Sequence, residues 1–323
     1  MAKPETLDLK PTPRGSPKPD ELLREAKTPF KSGPLSTCLL FLPPALLLFT
    51  VFVTLPILES GWYSFFNWNG YGQLQLRKWI SFDNYIQALT DPIFGHSLIN
   101  NLFIILVSAC IQLPIAMWVA LLISDRSRNS LVFRAIFFVP YILADIVAGL
   151  IWKYLYDGDY GLVAMVYGWF GQQAPFVLAK VGWATAAILL VVVWKYFGFH
   201  MALFVAGRQG ISSDVIESAK IDGASHWQIT RHVVLPMMRP VIVLALFFSI
   251  LGSLQQFDMI YALTGGGPLN SSHSAVTYLY TFGIKRMRVG FGSALGVILF
   301  VICVLVMMFY KRLFMRESET EKA

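Results

Sequence analysis

Two charged side chains stand where charge is costly. Asp145 and Lys195 lie deep inside long apolar runs of a 323-residue chain, and a charge within hydrocarbon costs several kcal/mol unless it faces a partner or a wet cavity. Two readings follow. They form a structural ion pair between neighbouring helices, kept because breaking such a pair is expensive, or Lys195 borders a water-filled path, where a carboxylate-bearing ligand would meet a favourable cation. A second set is Gln255, Gln256, Asp258 and Tyr261, whose amide, carboxylate and aromatic groups can hydrogen-bond hydroxyls and stack on apolar ring faces. Interhelical hydrogen bonds and interfacial aromatic belting are the alternatives for them. Trp194 offers a further stacking face or plain packing, and His200 is expected to hydrogen-bond a neighbouring helix.

No catalytic centre is legible. The dipeptide Gly-Lys never occurs, so there is no phosphate-binding Gly-x-x-x-x-Gly-Lys loop, and there is no His-Glu-x-x-His. Cys38, Cys110 and Cys303 sit singly in apolar runs, without the spacing of a metal or redox site. Neither a metal nor a cofactor bound by this chain is expected; if ATP is used, another subunit binds it. The run Gly265, Gly266, Gly267, Pro268 reads as a tight turn closing a helix.

The elements that carry these residues follow from composition. Apolar residues make up 56% of the chain and charged ones 14%, against roughly 25% charged in soluble domains, which excludes a soluble enzyme and a disordered chain. Crossing hydrocarbon takes about 20 apolar residues. Six uncharged or nearly uncharged runs qualify: Lys31 to Glu59, Asp91 to Asp125, Arg134 to about Trp152, Gly182 to Arg208, Arg239 to about Tyr261, and Arg288 to Lys311. The expected fold is an all-α membrane protein, a polytopic bundle of six transmembrane helices. Of the 26 Lys and Arg residues, 18 fall on the two termini and the second-to-third and fourth-to-fifth loops; since basic residues are retained in the cytoplasm, both termini belong there. Residues 1–36 form a proline-rich, basic tail expected to be mobile, with the first span kept as an anchor. Residues 37–315 form the membrane domain, and 316–323 a cytoplasmic tail.

The cytoplasmic segment 212–240 is the most informative. Asp214 with Glu217, then Ser225 with Gln228, have capping-box spacing, and Gly223 sits between them at a natural helix end. Two short helices are predicted, the first with Val215, Ile216 and Ala219 on one apolar face, before Pro236 and Pro240 redirect the chain. A lipid-surface helix is the alternative.

Here Glu217, Ser218, Ala219, Asp222, Gly223, Ala224, then Val233, Val234, Leu235, Pro236 resemble the EAA loop of the membrane-spanning subunits of binding-protein-dependent ABC importers. The pattern is Glu-Ala-Ala, three residues, Gly, nine residues, Ile-x-Leu-Pro; Ser218 and Val233 are its two departures. The stretches Phe82 to Tyr85, Asp91 to Asn100, Phe133 to Pro140, Asp159 to Leu162 and Phe257 to Pro268 are similar to the carbohydrate subclass. The resemblance implies a non-catalytic permease subunit of an oligosaccharide importer in the bacterial inner membrane, forming half of an alternating-access pathway. It implies as partners a second, related permease, two cytoplasmic ATPases that bind ATP and Mg, and an outer solute-binding protein that delivers the sugar. Glu217 would make a polar contact with an ATPase, Ala219 and Ala224 would permit close approach, and Gly223 would allow the bend. Lys195, Trp194, Gln255, Gln256, Asp258 and Tyr261 become candidates for the sugar path. The rival function is a self-sufficient, ion-coupled secondary transporter with Asp145 and Lys195 as its relay.

Overall fold

The computed structural model describes residues 34–124 and 128–315. The expected mobile tail, apart from its last residues, and the C-terminal tail 316–323 lie outside the described residues. The chain separates into two compact units, Met1–Ile57 and Leu58–Ala323. In the first, Cys38 to Val53 are all exposed, and a helix apolar on all faces has the composition of a membrane span. That helix, α1 (Cys38–Tyr63), runs through the boundary.

In the second unit, α2 (Asp83–Thr90) leads into α3 (Pro92–Leu122). Next come α4 (Arg128–Ile142), α5 (Asp145–Leu155) and a short apolar helix, α6 (Leu162–Trp169). The long α7 (Trp183–Gln209) is followed by α8 (Ser213–Ile221), α9 (His226–Met237) and α10 (Arg239–Leu254). The chain closes with α11 (Asp258–Leu263), α12 (Ala275–Ile284) and α13 (Val289–Phe314). Four of these helices are long and apolar enough to cross a membrane, and six spans result if each of two bent pairs is counted as one.

The bent pairs refine two expected spans. The run from Arg134 to Trp152 is not one rod: α4 and α5 meet at 95°, with Ala144 extended between them. The run from Arg239 to Tyr261 ends its long helix at Leu254, and the chain leaves helical geometry at Gln255 and Phe257 before α11. The second bent pair, α9 and α10, turns by 64°, where Pro240 at the start of α10 lacks the N–H that would continue the ladder.

Proline also explains three widened turns inside helices. Leu55, Leu113 and Leu235 each donate their N–H five residues back, to the carbonyls of Thr50, Ser108 and Thr230. Each immediately precedes a proline, Pro56, Pro114 or Pro236. A proline ring clashes with the carbonyl four residues earlier and donates nothing to it, so a π-type turn takes up the slack.

The helix α3 gives the second unit its two ends. Near its start, Asp91 Oδ1 accepts from Ile93 N at 2.8 Å, and Asp91 Oδ2 accepts from Tyr278 Oη at 2.6 Å. Asn100 Nδ2 donates to the carbonyls of Ser271 at 2.8 Å and His273 at 2.9 Å, tying down the loop between α11 and α12. Near its other end, Leu113, Ala116 and Ala120 pack with Met201, Phe204 and Val205 of α7 and with Ile229 and Val234 of α9. The segment α8–α9 and the α11–α12 loop therefore occupy opposite ends of a helix about 46 Å long.

Candidate functional site

The α4–α5 bend explains the two membrane charges. A helix ends with unpaired carbonyls and a partial negative charge, and the next begins with unpaired N–H groups and a partial positive one. Lys195 of α7 places its ammonium at the first end, within 3.4 Å of the Pro140 and Tyr141 carbonyls and 2.5 Å of that of Leu143. Asp145 opens α5, and its Oδ1 lies 3.0 Å from Lys195 Nζ. Its Oδ2 accepts from Tyr196 Oη at 2.9 Å. The ammonium has spent its donors, and Lys195 is 1% exposed.

Beside this junction lies a cavity of about 530 Å³, within the size range of small-molecule sites. Tyr196, Phe199 and His200 of α7, Phe248, Ser249 and Ser253 of α10, and the break Gln255 to Asp258 line it, with Ser108, Tyr141 and Asp145 completing the wall. Of the expected path residues, Gln255, Gln256 and Asp258 meet here, beside Asp145 of the expected ion pair. Lys195 does not: it lies behind the carboxylate that it pairs with, and among the described residues that line the cavity there is no lysine or arginine. Trp194 is turned away and packs on Trp152, with ring centroids 5.4 Å apart. Tyr261 packs on Phe257 at 5.5 Å and Tyr280 at 5.2 Å.

Two of the lining residues also carry buried polar atoms that have no partner among the described residues. His200 Nδ1 lies 3.0 Å from the Tyr196 carbonyl and 3.3 Å from Gln112 Nε2, but its Nε2 is buried with no hydrogen-bond partner, as is Ser249 Oγ. Unsatisfied buried polar atoms are costly, and here they belong to residues that line a space large enough for a ligand. Sequence reasoning missed Tyr196, Phe199 and Ser249. The spacing Val192, Tyr196, His200, one face of a helix at i and i+4, was the signal available.

At the far end of α7, Ser212 caps α8 by accepting from Asp214 N at 3.2 Å. The cap is therefore Ser212 and not Asp214, which sits in the first turn. The helix closes as a Schellman motif: Ala224 N donates to Ala219 O and Gly223 N to Lys220 O, both at 3.0 Å. Gly223 adopts φ +83°, where a side chain is strained. The second helix starts with a full capping box, Ser225 N donating to Gln228 Oε1 at 2.8 Å and Gln228 N to Ser225 Oγ at 3.4 Å.

The loop sorts its residues by face. Ile216, Ala219, Ala224 and Val233 pack on the core beneath, Leu235 is half-buried, and Glu217, Ser218, Asp222, Gly223 and Pro236 are exposed. Val215, expected on one apolar face with Ile216 and Ala219, is exposed. So are Ile221, at 86%, and Trp227, at 67%. Large apolar side chains held outward on a rigid, capped loop are what a docking surface offers.

Comparison with known proteins adds four findings. The family model described as "Binding-protein-dependent transport system inner membrane component" matches residues 112–318. A probable ABC transporter permease of Pyrococcus horikoshii is 30% identical over 286 residues, 87% of this chain and 96% of that one. The sulfoquinovosyl glycerol transport system permease of Agrobacterium fabrum is 31% identical over 274 residues, 85% of this chain and 89% of that one. Among solved structures, a bacterial ABC transporter involved in the import of the acidic polysaccharide alginate aligns with a TM-score of 0.76 at 21% identity, covering 87% of this chain and 95% of the matched one.

Proposed function

The chain belongs to the family of binding-protein-dependent transport system inner membrane components, and from that premise we propose that it is a multi-pass permease subunit of a sugar importer, coupled to a cytoplasmic ATPase through the loop from Glu217 to Pro236. The relatives named for sulfoquinovosyl glycerol, for trehalose and maltose, and for multiple sugars support carbohydrate as the cargo. The observation that carries the coupling is the loop itself: two capped helices hinged at Gly223, packed on α3 and α7 beneath and presenting Glu217, Ile221, Asp222 and Trp227 outward. A rigid contact of this kind transmits motion as a body.

In this reading the chain forms half of an alternating-access pathway with a second, related permease. Two ATPase subunits bind ATP and Mg, and an outer solute-binding protein delivers the sugar in the bacterial inner membrane. Gln255, Gln256, Asp258, His200 and Ser249 line the path and exchange hydrogen bonds with sugar hydroxyls, while Phe199, Phe248 and Phe257 offer faces for pyranose rings. Asp145 and Lys195 are structural, joining two helix ends. The family match speaks against the self-sufficient ion-coupled transporter, which would need no binding protein.

The coupling is tested with Gly223→Pro and Glu217→Arg in the reconstituted complex. Proline cannot adopt the positive φ at Gly223, and arginine reverses the charge presented outward. Both variants should lose at least about tenfold in uptake, with ATP hydrolysis no longer following sugar delivery. Undiminished uptake and stimulated ATPase in both would overturn the assignment.

A further inference from the structure

Between α12 and α13 the chain makes a tight turn through Lys285, Arg286, Met287 and Arg288. Three backbone bonds pin it: Lys285 N to Tyr280 O at 2.8 Å, Met287 N to Ile284 O at 2.9 Å, and Arg288 N to Gly283 O at 2.8 Å. Met287 stands at φ +55°, a conformation that a residue other than glycine keeps only where its surroundings enforce it. The turn is a fixed platform.

It presents three cations in four residues. Lys285 and Arg286 are exposed, and Arg288 is half-buried. The Arg286 guanidinium lies 4.0 Å from the ring centroid of Phe282 and that of Arg288 4.5 Å from Phe291, while Arg288 Nη2 donates to Gln87 Oε1 at 2.6 Å. Stacking fixes the planar forks before any partner arrives, which lowers the entropy lost on binding. Among the described residues no carboxylate forms an ion pair with any of the three.

Their place is unusual. Contacts with Gln87, and of Gly290 N with Trp68 O at 2.9 Å, put the turn at the α3 N-terminal end, opposite the α8–α9 loop. The other Lys and Arg residues of the loops on that side, Arg77, Lys78, Lys153 and Lys180, lie in other segments of the chain. Lipid headgroups would meet such charges at a lipid-facing rim, but Phe282, Gly283 and Gly290 to Leu295 are all buried. The turn therefore rises from the protein-packed part of that end.

We propose that Lys285 and Arg286, steadied by Arg288, form a docking contact for an acidic patch on the solute-binding protein. This rests on reading the chain as an importer permease whose α8–α9 loop meets the ATPase, which leaves the opposite end to the binding protein. Complementary charge of this kind speeds encounter and fixes orientation, and salt screens it.

The test uses the complete importer in nanodiscs, with ATPase activity measured against the concentration of its sugar-loaded binding protein. The double variant Lys285→Glu/Arg286→Glu should raise the half-maximal concentration about tenfold or more at low salt and leave the rate without binding protein unchanged. The shift should shrink in roughly 0.5 M salt. Should the reversed variant fail to assemble, Lys285→Gln/Arg286→Gln is expected to give a smaller shift in the same direction. Equal half-maximal concentrations in variant and wild type would overturn the proposal. So would a shift that vanishes in nanodiscs of purely zwitterionic lipid, which would make anionic headgroups the partner. A wild-type complex that the binding protein does not stimulate would instead overturn the importer reading itself.

Discussion

The Lys195 ammonium is the side chain whose surroundings decide most. With one carboxylate and three carbonyls around it, its removal leaves Asp145 charged and the end of α4 unsatisfied. Breaking a buried pair by removing one partner costs about 3–5 kcal/mol. Asp145 is 34% exposed, so the lower figure applies. Lys195→Met should therefore lower the melting temperature of the purified complex clearly, and adding Asp145→Asn should recover part of the loss, since no charge is then stranded. Lys195→Met with an unchanged melting temperature but abolished uptake would instead return the lysine to the sugar path. In the sequence both residues were visible as misplaced charges, and their separation along the chain let them meet. What spacing could not show is that the lysine also closes a helix end, because the α4–α5 bend lies inside an unbroken apolar run.

At the scale of elements, legibility followed the locality of the signal. Ser225 and Gln228 lie within one turn, and the capping box predicted from them is present. Gly223 likewise announced its helix end. The start of α8 was misplaced because Ser212, Ser213 and Asp214 are all good caps, and only the fold of the preceding chain chooses among them. The cavity was half legible: Gln255, Gln256 and Asp258 stood out as polar residues in an apolar run, whereas Tyr196 and Phe199 look like packing until α10 is placed opposite them. Close helix approach was hidden as well. A Cβ on Gly198 of α7 would sit 2.1 Å from the Phe137 carbonyl oxygen of α4. Glycine to alanine inside a helix ordinarily gains up to about 1 kcal/mol, but a backbone carbonyl cannot move aside, and overpacking costs about 1–3 kcal/mol. The clash wins, so Gly198→Ala should destabilise the purified permease in thermal unfolding. Gly168→Ala, where nothing lies within 4 Å, should not. Equal behaviour of the two would mean that α4 and α7 do not approach so closely.

For the whole molecule, the question is which end faces which compartment. The second unit has two ends joined by α3 and α7, and in the sequence 18 of the 26 Lys and Arg residues fall on the termini and on the two loops assigned to the side of α8 and α9. Retention of Lys and Arg in the cytoplasm would make that end cytoplasmic, and the proposed coupling loop and the proposed Lys285–Arg286 contact both take their meaning from this orientation. Single cysteines test it. Cys38, Cys110 and Cys303 would be replaced by alanine, and cysteine introduced at Ile221, 86% exposed, or at Tyr160, 81% exposed. A membrane-impermeant maleimide should label the Tyr160→Cys variant in intact cells, and the Ile221→Cys variant only in inside-out vesicles stripped of ATPase. The opposite pattern would invert the molecule, putting the loop where no ATP is available and removing the physical basis for coupling through Glu217.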